Sequence, residues 1–309
     1  MSTKIEWTQE TWNPFTGCTK ISPACDNCYA EKFAKRLQSI PASAHKYRNG
    51  FAPTFHPEEL QKPLHWKNPR KIFVVSMGDL FHKSNSWNDI LEVFRIIKLC
   101  PQHTFIILTK RAQIMKDYFS WMYCGTEIQD QLPNVWIGVT AENQEMFNKR
   151  VPVLLQIDAA IHFVSIEPML EAINMTIETE DYIFNTLSGH ETCKDEFKIL
   201  TASGDPLFYE TIDWVICGGE TGPNSRKLNA AWVESLRDQC IANRVPFFFK
   251  SWGDWKCVYK IKCGNTIEHI GFVWEKVGKK HTGCEIGDQI YQQYPGDYNM
   301  SIFNIIYKH

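Results

Sequence analysis

The stretch KIFVVSMGDLFHKSNSWNDILEVFRIIKLCPQHTFIILTK, residues 71–110, contains an apolar run, a polar loop, an amphipathic segment and a second apolar run. Continuous apolar runs separated by a helix are typical of strands in a parallel sheet that is covered on both faces. The stretch therefore predicts a strand–helix–strand unit of an α/β protein, with the helix at residues 87–99.

The same alternation recurs along most of the chain. A short first strand is expected at residues 11–15, and further apolar runs lie at residues 135–139, 161–166, 213–217 and 245–250. Helical periodicity predicts the intervening helices at residues 29–40, 111–123, 143–156 and 230–243. About seven strand–helix units predict an α/β fold that is a full or partial TIM-type (β/α) barrel with parallel strands.

Two regions interrupt this alternation, and they set the expected domain boundaries. Residues 1–254 are predicted to form a (β/α) barrel that carries an insertion at about residues 176–212. Residues 255–309 mix strand-like runs with glycine turns, which predicts a β-rich C-terminal cap, an extension packed on the barrel.

Composition and charge predict a globular protein and argue against a membrane protein or a highly basic one. The 309 residues are 44% hydrophobic and 22% charged, as in a soluble globular protein, and the net charge of −2 argues against a surface coated for nucleic-acid binding. The N-terminus MSTKIEWTQE has no apolar signal region, and no run of about 18 apolar residues occurs. We therefore expect a cytoplasmic protein with no membrane partner; the oligomeric state is not predicted.

Three of the eleven cysteines, Cys18, Cys25 and Cys28, are clustered as C-x6-C-x2-C. In a reducing compartment such thiols serve as metal ligands or core residues, and thiolates favour iron–sulfur clusters or zinc. A structural zinc site normally has four protein ligands, whereas three cysteines suffice for a [4Fe–4S] cluster with one open iron. A cluster is the main hypothesis; zinc and a metal-free loop are the alternatives.

An iron without a protein ligand can chelate the amino and carboxylate groups of S-adenosylmethionine. One electron from the reduced cluster then cleaves a carbon–sulfur bond and yields a 5′-deoxyadenosyl radical. The three-cysteine pattern thus predicts a radical S-adenosylmethionine enzyme, an iron–sulfur protein that also needs an external electron donor.

Polar residues directly follow the predicted strands, on what would be the active-site face of a barrel. Glu167, beside Pro168, and Lys250 end strongly apolar runs, where a charge is costly unless it is paired or functional, so we predict both as catalytic residues. The predicted cofactor-binding residues are Ser76, Met77, Gly78, Asp79, Lys110, Glu142, Asn143, Gly218, Gly219 and Glu220.

Each of these polar residues also has a structural alternative. Asp79, Glu142 and Asn143 could be helix caps, and Lys110 with Arg111 could form a salt bridge at a strand end. If the latter two are functional, they would hold a carboxylate or phosphate group.

The stretch WNPFTGCTKISPACDNCYAE, residues 12–31, closely resembles the signature of a phage and prophage protein family of unassigned function that is regarded as radical-SAM-like. The similarity continues through VVSMGDLFH, ILTKRAQIM, NVWIGVTAENQE, WVICGGETGPNSRKL and VPFFFKSWG. The resemblance implies that the barrel at residues 1–254 is a radical-SAM-like partial barrel, with the cluster in the loop after its first strand.

The motif differs from the usual radical-SAM pattern in two respects. Most such enzymes use C-x3-C-x2-C with an aromatic residue before the third cysteine, whereas here the first gap is six and Asn27 takes the aromatic position. The superfamily's Gly-Gly-Glu motif follows the second strand, so its counterpart by order is residues 76–79, although a literal Gly-Gly-Glu occurs at residues 218–220.

The substrate is the least determined part of the prediction. A nucleic-acid base or nucleotide is the leading hypothesis, from the phage-type resemblance and the basic strand-end residues. Residues 251–280 also mix aromatic and basic side chains, a composition that can stack bases and track phosphates. The alternatives are a non-catalytic iron–sulfur or zinc nucleic-acid-binding protein of a phage or defence system, and a metal-free hydrolase using Glu167 with Glu220.

Overall fold

The computed structural model describes residues 3, 5–180, 182–193, 210–260 and 271–297. Its α-helices are α1 (Tyr29–Gln38), α2 (Pro41–Ala44), α3 (Trp87–Lys98), α4 (Ala112–Gly125), α5 (Gln144–Leu154) and α6 (Ala230–Ala242). Its strands are β1 (Glu10–Trp12), β2 (Phe15–Thr16), β3 (Thr54–Phe55), β4 (Lys71–Val74), β5 (Thr104–Thr109), β6 (Val135–Thr140), β7 (Ile161–Ile166), β8 (Thr176–Glu178), β9 (Tyr182–Asn185), β10 (Glu191–Cys193), β11 (Trp214–Cys217), β12 (Phe247–Phe249), β13 (Trp255–Lys260), β14 (Gly271–Lys276), β15 (Glu285–Ile286) and β16 (Gln289–Ile290).

A seven-stranded parallel sheet organises the fold. Its strand order is β1-β4-β5-β6-β7-β11-β12, so successive sheet strands along the chain are also neighbours in space. The predicted parallel α/β architecture is therefore confirmed. Because the strands are parallel, their carboxyl ends all lie along one edge, and the residues that follow them meet there.

Strand alternation divides the apolar side chains between two layers. On the outer face, Ile72, Ile107 and Val164 belong to the large core that packs against the helices. On the inner face, Trp7 lies in a second cluster with Phe73, Ile106, Phe163, Trp214, Ile216 and Phe248. The chain's own N-terminal segment thus fills part of the inner face, with the Trp7 ring 4.6 Å from that of Phe73.

The outer edge of β12 is covered by a segment near the C-terminus. The backbone N–H of Phe249 donates to the carbonyl of Tyr291 at 2.7 Å, and that of Gln293 donates to the carbonyl of Phe247 at 3.2 Å. Edge strands present unpaired backbone groups, so this antiparallel segment satisfies groups that would otherwise need water.

The two predicted additions to the barrel are only partly described. Strands β8, β9 and β10 form an antiparallel sheet within the predicted insertion, and β13 pairs with β14 in the predicted C-terminal extension. Residues 194–209, 261–270 and 298–309 lie outside the described residues, so the insertion and the β-rich cap remain predictions there. In the ranges that are described, no helix is long and apolar enough to span a membrane.

Candidate functional site

Residues 17–28, here called the cysteine loop, run from the end of β2 to the start of α1. The loop is tied to the segment after β4, because the backbone N–H of Gly17 donates to the carbonyl of Met77 at 2.9 Å and Gly17 pairs with Gly78 in a parallel bridge. The N–H of Cys18 donates to the carbonyl of Phe51 at 3.1 Å. The first cysteine therefore lies at the carboxyl edge of the sheet.

Only glycine fits at position 17. Its φ of +87° lies in the region that L-residues avoid, and a Cβ there would lie 2.2 Å from the carbonyl oxygen of Ala52. At Gly78, a Cβ would lie 2.7 Å from the carbonyl oxygen of Gly17. The two glycines thus let two loops approach backbone to backbone.

Asp79 and Arg111 connect the sheet edge to Cys18. The Asp79 carboxylate accepts the hydroxyl of Thr109 at 2.7 Å and Nη1 of Arg111 at 2.7 Å. The same Nη1 donates to Sγ of Cys18 at 3.2 Å, and Nη2 donates to both oxygens of Thr19 at 3.0 Å. The Arg111 and Asp79 side chains are only 8% and 6% exposed, so this arrangement is closely packed.

The surroundings of Cys18 favour its neutral form. Burial and the nearby Asp79 carboxylate raise the pKa of the Cys18 thiol above its ordinary 9.0, and the Arg111 guanidinium only partly offsets them. A thiol ligand must lose its proton to bind metal, so metal binding at Cys18 would release a proton at neutral pH.

Glu142 holds the middle of the cysteine loop from the end of β6. Its side chain is fully buried; Oε1 accepts the backbone N–H of Ala24 at 3.2 Å, and Oε2 lies 2.9 Å from Nη1 of Arg150. Burial alone would raise the pKa of this carboxyl, but a hydrogen bond from Ser22 and the Arg150 charge lower it below its usual value. Glu142 is therefore ionised and bound to the loop.

Glu220 holds the same loop from the end of β11. Its carboxylate accepts the backbone N–H, Nε and Nη2 of Arg226 at 2.7, 2.9 and 2.6 Å. Nη2 of Arg226 also donates to the carbonyl of Pro23 at 2.9 Å. Three carboxylates that follow different strands, Asp79, Glu142 and Glu220, thus anchor one loop.

Three other residues that were predicted to bind a cofactor, after β4 and β6, form hydrogen bonds within the protein. The side chain of Asn13 accepts the Ser76 hydroxyl at 3.2 Å and the N–H of Met77 at 3.0 Å. The Ser76 carbonyl accepts the hydroxyl of Tyr29 at 2.6 Å. Asn143 caps α5, since its side chain accepts the N–H of Met146 at 2.9 Å, which is the structural alternative considered for it.

Glu167 and Lys250 meet on the inner face of the sheet. Strand register puts Gly218 between them, and Nζ of Lys250 lies 2.6 Å from Oε1 of Glu167. A Cβ at Gly218 would lie 3.3 Å from the Glu167 side chain and 3.4 Å from Cβ of Lys250. The absent side chain therefore leaves room for the pair; the peptide bond between Glu167 and Pro168 is cis.

The Lys250 ammonium belongs to a larger charged group. Oε2 of Glu6, next to Trp7 on the inner face, lies 4.0 Å from Nζ of Lys250, and Oε1 lies 2.6 Å from Nζ of Lys279. Burial lowers the pKa of Lys250, but the Glu167 and Glu6 carboxylates outweigh it and raise the pKa above its usual value. Lys250 is therefore a cation, and it has two acidic neighbours.

A second row of inward-facing residues lies next to the row of Glu167, Gly218 and Lys250, two residues further from the carboxyl ends of the strands. Register aligns Lys110, Thr140 and Ser165 across β5, β6 and β7, in the same alternation as the inner-face residues Leu108 and Phe163. Lys110 is half-buried and, within the described part of the chain, its ammonium forms no ion pair. Its predicted role in binding an anionic group remains a prediction.

The cysteine loop offers three thiols to the predicted cluster. Cys18, Cys25 and Cys28 are free and partly exposed, on a loop fixed at three points. In the described ranges, no group of three or more His, Cys, Asp or Glu side chains is arranged to hold a single metal ion. A [4Fe–4S] cluster makes a different demand, since each cysteine binds its own iron, and three accessible thiols on one loop fit that chemistry.

A family model described as "Protein of unknown function (DUF5131)" matches residues 2–295. The chain belongs to this DUF5131 family. No curated protein and no solved structure matches it. The family match assigns no activity to this DUF5131 protein.

Two arginines of the candidate site, Arg150 and Arg226, were not predicted from the sequence. Arg150 and Arg226 neutralise Glu142 and Glu220, and Arg226 also touches the cysteine loop. Arg226 lies six residues after Glu220 in the GGETGPNSRK segment, so their proximity was a usable signal. Arg150 lies on α5, where nothing in the local pattern distinguishes it from a solvated helix residue.

Proposed function

We propose that this DUF5131 protein is a radical S-adenosylmethionine enzyme, with a [4Fe–4S] cluster held by Cys18, Cys25 and Cys28. One observation carries the proposal. The three cysteines lie on one loop that is anchored by strand-end carboxylates at the carboxyl edge of a parallel sheet. That edge is where barrel enzymes carry their active sites.

The fold supports the proposal when the seven-stranded sheet is interpreted as a partial TIM-type barrel. Its first strand, β1, precedes the cysteine loop, and its next strand, β4, is followed by the segment Ser76–Asp79, which is the order of the radical-SAM motifs. Asp79 then acts through Arg111 on Cys18. We propose that the backbone of Ser76, Met77 and Gly78 lies beside the cofactor.

Cys18, Cys25 and Cys28 would hold the cluster, which would supply the one electron needed to split S-adenosylmethionine into methionine and a 5′-deoxyadenosyl radical. The chain's own residues hold the loop and bind the ligands. The electron comes from an external donor. A cytoplasmic location is part of the proposal, because a reducing compartment keeps the thiols available.

The inner face provides groups that suit an anionic ligand. Lys110 is a half-buried basic residue without an ion-pair partner among the described residues, and Lys250 is paired with Glu167 at the carboxyl end of the sheet. Amines bind phosphates and carboxylates as point charges. We therefore propose a nucleotide or a nucleic-acid base as the substrate, with Glu167 and Lys250 nearest the reacting group.

An anaerobic assay tests the proposed function. The reconstituted protein should be brown, and dithionite with S-adenosylmethionine should release 5′-deoxyadenosine. The triple variant C18A/C25A/C28A should lose both the colour and the product. Cys124→Ala is the control, because Cys124 is an exposed free cysteine away from the loop. A colourless wild-type protein that holds one zinc would overturn the proposal.

A second candidate is a non-catalytic iron–sulfur or zinc protein that binds nucleic acid in a phage or defence assembly. One observation favours it. Nζ of Lys227 and Nζ of Lys276 lie 4.9 and 5.5 Å from the centre of the Trp255 ring, so two basic side chains surround one aromatic side chain. This candidate predicts metal without cleavage of S-adenosylmethionine, and nucleic-acid affinity that falls steeply with salt.

A further inference from the structure

Arg111 makes a contact that the other loop-anchoring residues do not. Glu142 and Arg226 bind backbone groups of the cysteine loop, at Ala24 and Pro23. Nη1 of Arg111 instead donates to Sγ of Cys18 at 3.2 Å. In the described part of the chain, it is the one cationic side chain that is hydrogen-bonded to a sulfur of the three clustered cysteines.

The guanidinium of Arg111 is held in place from both ends. Its own backbone N–H donates to the hydroxyl of Thr109 at 3.0 Å, and that hydroxyl donates to Asp79. Asp79 accepts Nη1, while Thr19 accepts Nη2. His82 fixes Thr19 in turn, with Nε2 2.9 Å from its hydroxyl oxygen. The direction of Nη1 toward the sulfur is therefore determined by several partners.

We propose that Arg111 is a positioning residue that sets Cys18 as a cluster ligand and raises the reduction potential of the cluster. The inference rests on the proposed function, because it requires the three cysteines to bind a [4Fe–4S] cluster. It goes further by assigning the tuning of that cluster to one residue. Asp79 supports Arg111 and does not itself contact the cluster ligand.

The expected effect follows from charge. Reduction adds one negative charge to a cluster, and part of that charge resides on the cysteine sulfurs. An N–H donor from a guanidinium stabilises a sulfur that carries more negative charge, so it favours the reduced state. Hydrogen bonds of this kind around metal ligands also fix their orientation. Without Arg111, the cluster should be harder to reduce.

A redox titration of the full chain tests the inference. Wild type, R111Q, R111K and R226Q are reconstituted with iron and sulfide, and the reduced cluster is followed by electron paramagnetic resonance at controlled potentials. R226Q is the matched control, because Arg226 also anchors the cysteine loop but touches a backbone carbonyl instead of a sulfur. We expect a more negative midpoint potential for R111Q, an intermediate one for R111K and a wild-type one for R226Q.

The outcomes separate this inference from the proposed function. A wild type that forms no cluster overturns both. A wild-type cluster with the same midpoint potential in R111Q overturns the inference alone, as does an equal shift in R226Q. If R111Q forms no cluster, the iron and sulfide contents of the reconstituted variants are compared instead. A cluster that is lost in R111Q and retained in R226Q supports the positioning role, and a cluster that is lost in both variants contradicts it.

Discussion

The ammonium of Lys250, after β12, lies 2.6 Å from the carboxylate of Glu167, after β7, across the intervening Gly218 of the sheet. The two side chains are 15% and 22% exposed, and a second carboxylate, that of Glu6, lies 4.0 Å from the ammonium. The pair therefore combines low exposure with opposite charge at the inner, carboxyl end of the sheet. Charges in such a place are expected to be structural partners, ligand-binding groups, or both.

Gly218→Ala should disturb this pair without unfolding the protein. A Cβ at position 218 would be 3.3 Å from the Glu167 side chain, which must then shift by a few tenths of an ångström, and 3.4 Å from Cβ of Lys250. We expect a loss of about 1 kcal/mol in the free energy of unfolding and a clear loss of 5′-deoxyadenosine formation. Gly125→Ala is the control, since its Cβ would meet only Trp121, at 3.7 Å. Unchanged activity in G218A would contradict a functional role for the pair.

Glu167 and Lys250 should also be energetically coupled. Lys250→Met leaves Glu167 without its nearest cation, and we expect a loss of about 2 kcal/mol, less than for a fully buried pair because Glu167 is partly exposed. E167Q with K250M should cost less than the sum of the two single changes. Urea unfolding of the wild type and the three variants measures the coupling. Strictly additive changes in the free energy of unfolding would show that the contact contributes nothing to stability.

Gly17→Ala should prevent the cysteine loop from reaching its position. The substitution combines a φ of +87° with a Cβ only 2.2 Å from the carbonyl oxygen of Ala52. Gly50→Ala is the matched control, because Gly50 also has a positive φ, +62°, but nothing lies within 4 Å of a Cβ added there. We expect G50A to lose about 1 kcal/mol and keep its iron, and G17A to lose its iron. Iron and sulfide analysis after reconstitution decides; full iron in G17A would refute the expectation.

Glu142 should make stability depend on pH. Its pKa is lowered in the folded protein, so the ionised carboxylate stabilises the fold above its usual pKa of 4.5, and this contribution is lost as the pH falls through the lower folded value. E142Q leaves Arg150 buried without its counterion and should cost about 3 kcal/mol at neutral pH.

The gap in the free energy of unfolding between wild type and E142Q should therefore shrink as the pH falls below 4.5 and through the lowered folded pKa, where Glu142 becomes protonated in the wild type as well. Chemical unfolding of both proteins across this range checks the prediction. A gap that stays constant with pH would mean that Glu142 is not ionised in the folded state.

Much of the fold could be predicted because its signals are local. The run at residues 161–166 is mostly apolar, and its predicted bounds coincide with those of β7. The first strand was harder to bound, because β1 is only three residues long and is defined by its pairing with β4. Trp7 gave no local sign of its position against Phe73, since an aromatic residue packs equally well on either face.

The site was predictable as a location more than as a set of contacts. Sequence order placed Asp79, Glu142 and Glu220 after strands, and the structure brings all three to the cysteine loop. Two of their partners, Arg111 and Arg150, are selected by three-dimensional proximity, whereas Arg226 lies only six residues after Glu220 in the sequence. The carboxylates predicted to bind a cofactor directly are therefore engaged with arginines, and their cofactor role remains a prediction.

The central claim is that Cys18, Cys25 and Cys28 bind a [4Fe–4S] cluster with one iron open to S-adenosylmethionine. The most direct measurement is the electron paramagnetic resonance spectrum of the reduced, reconstituted protein before and after S-adenosylmethionine is added. The account predicts a cluster signal that is absent from C18A/C25A/C28A and that changes when S-adenosylmethionine binds. A protein without the signal, or a signal that S-adenosylmethionine leaves unchanged, would contradict it.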